Sequence, residues 1–189
     1  MLGSLWFSSF SAGGGGAAGD YELISTTILG SAAASVTFSG LGTSAAAYKH
    51  LQIRYTGRTD NGTTQSAYIR LNGDTGANYA MHSLVGYGSG ITSENSTSQT
   101  YALAFIGGLP GTNSASGIYE AGITDLLDFQ SSTKNKTLRT FNGAASSIIT
   151  NVRLTSGLWM STAAVTSILI APQSNNWATG SRFSLYGLK

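Results

Sequence analysis

The chain has 189 residues, enough for one domain whose core needs no covalent staple. Charged residues make up only 10% against 41% hydrophobic, and the net charge is +2 with no run of Lys or Arg, so electrostatics gives no support for a nucleic-acid or anionic-membrane partner. There is no Cys, which excludes disulfides, thiolate catalysis and Cys-based zinc sites.

Residues 1–19 read as a distinct arm. Its apolar head is Leu5-Trp6-Phe7-Ser8-Ser9-Phe10, and its tether is Gly13-Gly14-Gly15-Gly16-Ala17-Ala18-Gly19. A glycine run costs much entropy to order, and a large apolar cluster beyond it must bury itself somewhere. Leu5, Trp6, Phe7 and Phe10 are therefore expected to dock into a partner. The first positive side chain is Lys49, so the head lacks the charged start of a secretory signal and reads as mature sequence. No stretch approaches the ~18 apolar residues of a membrane span.

Residues 20–189 read as a β domain. Tyr21 to Leu29 is rich in strand formers, and Ser35-Val36-Thr37-Phe38-Ser39 alternates cleanly. Gly42 to Ala47 is a small-residue connection. Next come two strands joined by a turn-rich loop. Leu51, Ile53 and Tyr55 alternate with His50, Gln52, Arg54 and Thr56; Ala67, Ile69 and Leu71 alternate with Tyr68, Arg70 and Asn72. Such alternation means one buried face and one wet face, and Asn61-Gly62 in the loop is a strong turn signal.

Asn78 to Tyr87 is ambiguous, and Gly88 to Gln99 reads as polar loop. Thr100 to Ile106 is a nearly continuous apolar strand, followed by a loop over Gly107 to Gly117. Ile118 to Phe129 is expected as a strand with a bulge at Gly122. Lys136 to Phe141 is a strand ending at the Asn142-Gly143 turn. In Ser147 to Leu154, Val152 and Leu154 are expected inward and Arg153 outward, and Gly157-Leu158-Trp159-Met160 follows a further turn. Val165 to Ala171 is a buried strand stopped by Pro172, and Arg182 to Leu188 closes the domain with Phe183 and Leu185 inward. Roughly nine or ten short strands with regular turns imply an all-β fold: a single antiparallel β-sandwich, jelly-roll-like, with a barrel as the alternative.

Catalytic chemistry finds little footing. The two histidines, His50 and His82, read as surface groups, and no Gly-x-Ser-x-Gly elbow occurs. Glu120, Asp125 and Asp128 are close in sequence but lack a third positioned group for glycoside hydrolysis. Asp60, Asn61, Asn72 and Asp74 offer oxygen ligands without calcium-loop spacing and read as turn formers. No catalytic residue, cofactor or metal is expected. Arg54, Tyr68 and Arg70 are read as sharing one outward face, available to a ligand or a subunit. Tyr87, Tyr119 and Trp177 are candidates for stacking on a sugar, with Trp177 also a candidate for the core or a subunit seam.

Three stretches together resemble a known group: Asp20-Tyr21-Glu22-Leu23-Ile24-Ser25-Thr26-Thr27; Tyr48-Lys49-His50-Leu51-Gln52-Ile53-Arg54 with Asn72-Gly73-Asp74; and Thr179-Gly180-Ser181-Arg182-Phe183-Ser184-Leu185-Tyr186-Gly187. Ser156-Gly157-Leu158-Trp159-Met160 also fits. The chain from Asp20 onward is similar to small virion-associated β-sandwich proteins of tailed bacteriophages, common in aquatic phages. The resemblance brings no catalytic motif. It implies a non-enzymatic structural protein on the virion exterior, assembled in the host cytoplasm and bound to other virion proteins through the arm. A tail-fibre or baseplate appendage is the leading expectation, with a host-surface glycan as a candidate contact. A capsid decoration protein and a carbohydrate-binding module are the alternatives. A homotrimer is expected.

Overall fold

The computed structural model describes residues 20–189. The expected docking residues Leu5, Trp6, Phe7 and Phe10 lie outside the described residues. Among the described residues, twelve strands and one short helix follow one another: β1 (Tyr21–Ile28), β2 (Val36–Phe38), α1 (Leu41–Ser44), β3 (His50–Gly57), β4 (Gln65–Leu71), β5 (Tyr79–Tyr87), β6 (Gly90–Gln99), β7 (Ala102–Leu109), β8 (Glu120–Leu127), β9 (Lys136–Ala145), β10 (Thr150–Trp159), β11 (Ile168–Pro172) and β12 (Arg182–Leu188). They form a sandwich of two antiparallel sheets. The larger has eight strands in the order β1-β12-β3-β8-β9-β10-β5-β6, and the smaller has four in the order β2-β11-β4-β7.

The core sits where the apolar faces of the two sheets meet. Leu51, Ile53 and Tyr55 of β3 point into it from one side, and Ala67, Ile69 and Leu71 of β4 from the other. β3 and β4 are therefore not a hairpin: each lies in a different sheet, so their apolar faces oppose one another across the interior. The connecting loop is held by Thr59 N–H donating to Pro110 O at 2.9 Å and Asp60 N–H to Asn176 O at 3.1 Å. At the centre, the Trp177 ring meets Phe183 edge-on at 4.8 Å, and Phe183 stacks over Tyr55 at 6.3 Å.

Several elements depart from the sequence pattern. The Gly88 to Gln99 stretch is not a loop but mostly β6, reached through a turn in which Gly88 has a positive φ of 54°. Its polar side chains suit an edge strand. Gly122 makes no bulge, because β8 runs in unbroken register against both β3 and β9. Its lack of a side chain instead leaves room for the Tyr55 ring. Asn142-Gly143 is not a turn; β9 continues to Ala145. The turn comes at Ser146, whose Oγ accepts the N–H groups of Ile148 and Ile149 at 3.1 and 2.9 Å. No turn precedes Gly157, which lies within β10.

The largest departure is in β10. Arg153 is the buried residue, and Val152 and Leu154 are the exposed ones. The expected orientation is reversed, and Ile123, Phe141 and Leu84 of neighbouring strands are exposed beside Leu154.

Candidate interaction surface

The reversal can be read straight from the strand registers. Ile123 of β8 pairs with Phe141 of β9, Phe141 with Leu154 of β10, and Leu154 with Leu84 of β5. Because directly paired residues share a face, these four side chains form one row across four strands. Their exposures are 40, 57, 48 and 53%, so the row lies on the outer side of the sheet. Two positions along, Val152 is paired with Gly143 and Gly86, and Gly86 with Ile91. Val152 is half exposed and Ile91 is 78% exposed. The side-chain-free positions between them leave a shallow apolar groove of about 230 Å³, lined chiefly by Leu84, Gly86, Ile91, Phe141, Val152 and Leu154.

Directly behind this row the inner side of the same strands is polar. Thr124, Thr140, Thr155 and Ser83 form the alternate row and are buried. Thr124 and Thr140 share a hydroxyl hydrogen bond at 2.9 Å, and Thr155 Oγ1 donates to Ser83 Oγ at 3.3 Å. Arg153 reaches Glu94 on β6 at 3.4 Å. Asn142 donates from Nδ2 to the buried Glu120, which also bonds the Tyr55 hydroxyl. Burial pushes the Glu120 carboxyl up to about 7, against the opposing pull of those two hydrogen bonds and the Arg153 charge. Along this row the sheet thus turns hydroxyls inward and aliphatic and aromatic groups outward, while Leu126, Leu138, Trp159 and Tyr79 of the same strands still point into the core. Solvent exposure of such a contiguous apolar row is unfavourable, and patches of this kind mark interaction sites. Among the described residues, nothing covers it.

The polar strip beside this row is the setting of Arg54. The Arg54 guanidinium lies over the rings of Tyr186 at 4.5 Å and Tyr21 at 5.3 Å. Its Nε donates to Gln52 Oε1 at 2.7 Å, and Gln52 Nε2 donates to Asp125 at 2.8 Å. Tyr68 and Arg70 do not share the Arg54 face; they are on β4 in the other sheet, because β3 and β4 are not neighbours. There Tyr68 stacks on Tyr101 at 4.6 Å, and Arg70 lies over Tyr68 at 5.2 Å. Tyr87 is exposed at the end of β5, on the alternate side of the strand from Leu84 and Gly86. Tyr119 donates its hydroxyl to Thr179 O at 2.9 Å in a polar cleft shared with Arg58. Trp177 is not available as a surface group: it is fully buried, and its Nε1 donates to Ile170 O at 3.2 Å.

The carboxylates weighed for hydrolysis are dispersed. Glu120 is in the interior, Asp125 pairs with Arg139 at 3.2 Å, and Asp128 pairs with Lys134 at 2.7 Å. The oxygen-rich turn residues are also separately occupied. Asp60 takes the Asn176 side-chain amide at 2.9 Å, Asn61 donates to Asn175 at 2.8 Å, Asn72 accepts Thr166 N–H at 2.7 Å, and Asp74 accepts Trp159 Nε1 at 2.6 Å. Among the described residues, no cluster of three or more His, Asp or Glu side chains could hold a metal ion. No described helix is long and apolar enough to cross a membrane.

Comparison with protein-family models gives no match, and neither do comparisons with curated proteins or with solved structures.

The row Ile123, Phe141, Leu154 and Leu84 escaped the sequence reading because apolar positions in an alternating strand are ordinarily the buried ones. The one available signal lay in the facing partners. β8, β9 and β10 all alternate large apolar residues with Thr, Asn, Gly or Arg, so hydropathy alone leaves the choice of inner face open.

Proposed function

We propose that the protein is a non-enzymatic structural subunit of a tailed-phage virion. In this reading it is an exterior β-sandwich held on the particle by its N-terminal arm, most fitting as a tail-fibre or baseplate appendage with host-surface contact. The observation that carries the assembly part is the outward apolar row Ile123-Phe141-Leu154-Leu84 backed by an inward polar row. Such a face needs a partner, as a subunit of a larger structure has. The virion part rests on the sequence resemblance, and the arm's role on the composition of residues 1–19.

The test is to locate the protein on intact particles with a labelled antibody, comparing the full chain with a version lacking residues 1–19. Label at the tail that disappears with the arm supports an arm-anchored appendage. Label spread over the head makes the protein a capsid decoration subunit. Absence of label from particles overturns the virion reading, and unchanged incorporation of the shortened chain overturns arm anchoring.

A further inference from the structure

Resting on the assembly reading above, we infer that the outer face of β8-β9-β10-β5-β6 is an interface between two copies of this chain, packed sheet to sheet about a two-fold axis. Three features of the face argue for a second copy as its occupant.

The first is area. The exposed side chains of Ile123, Phe141, Leu154, Leu84, Val152 and Ile91 form one continuous patch. With the polar margin beside them they approach the ~800 Å² that each partner contributes to a standard interface. The apolar part alone lies at the upper end of the roughly 300–600 Å² of the largest patch on an ordinary monomer.

The second is shape. A two-fold interface must be self-complementary, so one patch has to carry both the feature that inserts and the feature that receives. Here the raised row Phe141-Leu154-Leu84 runs directly beside the groove floored at Gly86. Turned through a half circle, the row of one copy fills the groove of the other. Because row and groove belong to one patch, the contact closes with two copies and leaves neither feature over for a third. A dimer is therefore proposed in place of the homotrimer expected from the sequence, and the oligomeric state decides between them.

The third is the rim. Along one side of the apolar row, charges of both signs alternate: Asp125 pairs with Arg139, and Arg54 is linked to Asp125 through Gln52. A mixed-sign polar margin around an apolar centre is the anatomy of a specific protein interface. A strongly charged partner would instead find little net charge to match.

The experiment is sedimentation velocity on the full chain at micromolar concentration, with wild type beside Leu154→Asp and Phe141→Asp. Both sites are about half exposed, so circular dichroism and thermal unfolding verify that each variant keeps its fold. The expected result is a wild-type dimer and at least tenfold weaker association in each variant. A second measurement uses the absence of cysteine from the chain. Single Leu154→Cys and Leu84→Cys variants should be joined into covalent dimers by a bis-maleimide spanning about 10 Å, the spacing of facing sheets, while Thr37→Cys on the smaller sheet should not. A monomeric wild type, or association that both Asp variants leave unchanged, overturns the proposal. The two readings fail separately. A monomer whose incorporation into particles is still lost with Leu154→Asp overturns the self-interface and keeps the assembly subunit. A dimer absent from particles overturns the virion reading and keeps the interface.

Discussion

Tyr55 and Gly122 face each other across β3 and β8, and the tyrosine ring occupies the space where any larger residue at 122 would place its Cβ. That Cβ would overlap the ring, lying 2.7 Å from the Tyr55 hydroxyl oxygen and 2.8 Å from the Asn142 Cβ. Tyr55 cannot swing aside, because it is buried, stacked on Phe183 and bonded to Glu120. Gly122→Ala is therefore expected to destabilise the fold by about 1–3 kcal/mol, the cost of overpacking a full core. Urea unfolding measures it. A midpoint unchanged from wild type would show that Gly122 tolerates a side chain.

The same pair shows what could be read in advance. Leu51, Ile53 and Tyr55 were legible as a buried face, as were Phe183 and Leu185, because their polar alternates stand outward in the ordinary way. The sandwich itself followed from the number and spacing of such strands. Val152, Arg153 and Leu154 were not legible. Alternation defines two faces, and only the smaller sheet's placement decides which becomes interior. β6 was hidden because Ser, Thr and Asn can serve an edge strand as well as a loop, and Gly122 and Asn142-Gly143 resembled local punctuation while serving long-range fit. The candidate surface was hidden for the same reason as β10: an apolar residue meant for a partner has the same hydropathy as one meant for the core.

Glu120 should make stability fall as pH rises through neutrality. Its folded-state value of about 7 lies above the ordinary carboxyl range because burial disfavours the charged form. The folded state therefore holds the proton more tightly than the unfolded chain. The associated stability is fully present below about pH 4.3, the ordinary Glu value, and is lost progressively up to pH 7 and beyond. The loss amounts to an order of 3 kcal/mol at most, at about 1.4 kcal/mol per unit. Chemical denaturation at pH 5 and pH 8 measures it, with Glu120→Gln expected to flatten the difference. An equal slope in wild type and Glu120→Gln would assign the pH dependence elsewhere.

Asp74 works in the opposite sense. It ties the turn after β4 to the end of β10, accepting Trp159 Nε1 at 2.6 Å, Asn78 Nδ2 at 2.9 Å and Gly76 N–H at 2.8 Å. The Trp159 bond, then that of Asn78, holds its carboxyl below the usual range. A depressed value gives stability that is present above the ordinary Asp range, about pH 4, and lost as pH falls through the folded-state value. Asp74→Ala should cost about 1–3 kcal/mol, because the buried indole N–H loses its acceptor. It should also shift Trp159 fluorescence. Unchanged stability and emission would mean that water replaces the carboxylate at no cost.

Thr124 and Thr140 test the reversed polarity most directly. They are paired across β8 and β9, both fully buried, and each hydroxyl has the other as its partner at 2.9 Å. Removing one hydroxyl by Thr124→Val or Thr140→Val leaves the other buried without that partner. The expected cost of each single change is about 1–3 kcal/mol, the desolvation penalty of an unmade bond. Replacing both gives a methyl pair of the same shape in a closed interior, and the double variant should be near wild type or more stable. The coupling across the cycle is then large and favourable to the double change. Strictly additive losses would mean that these hydroxyls have other partners and that the inner polar row is not a set of mutually satisfied pairs. If the double variant does recover, the inward hydroxyls are dispensable for stability. The outward leucines and Phe141 are then explained by what the sheet meets outside rather than by any need to keep its inner face polar.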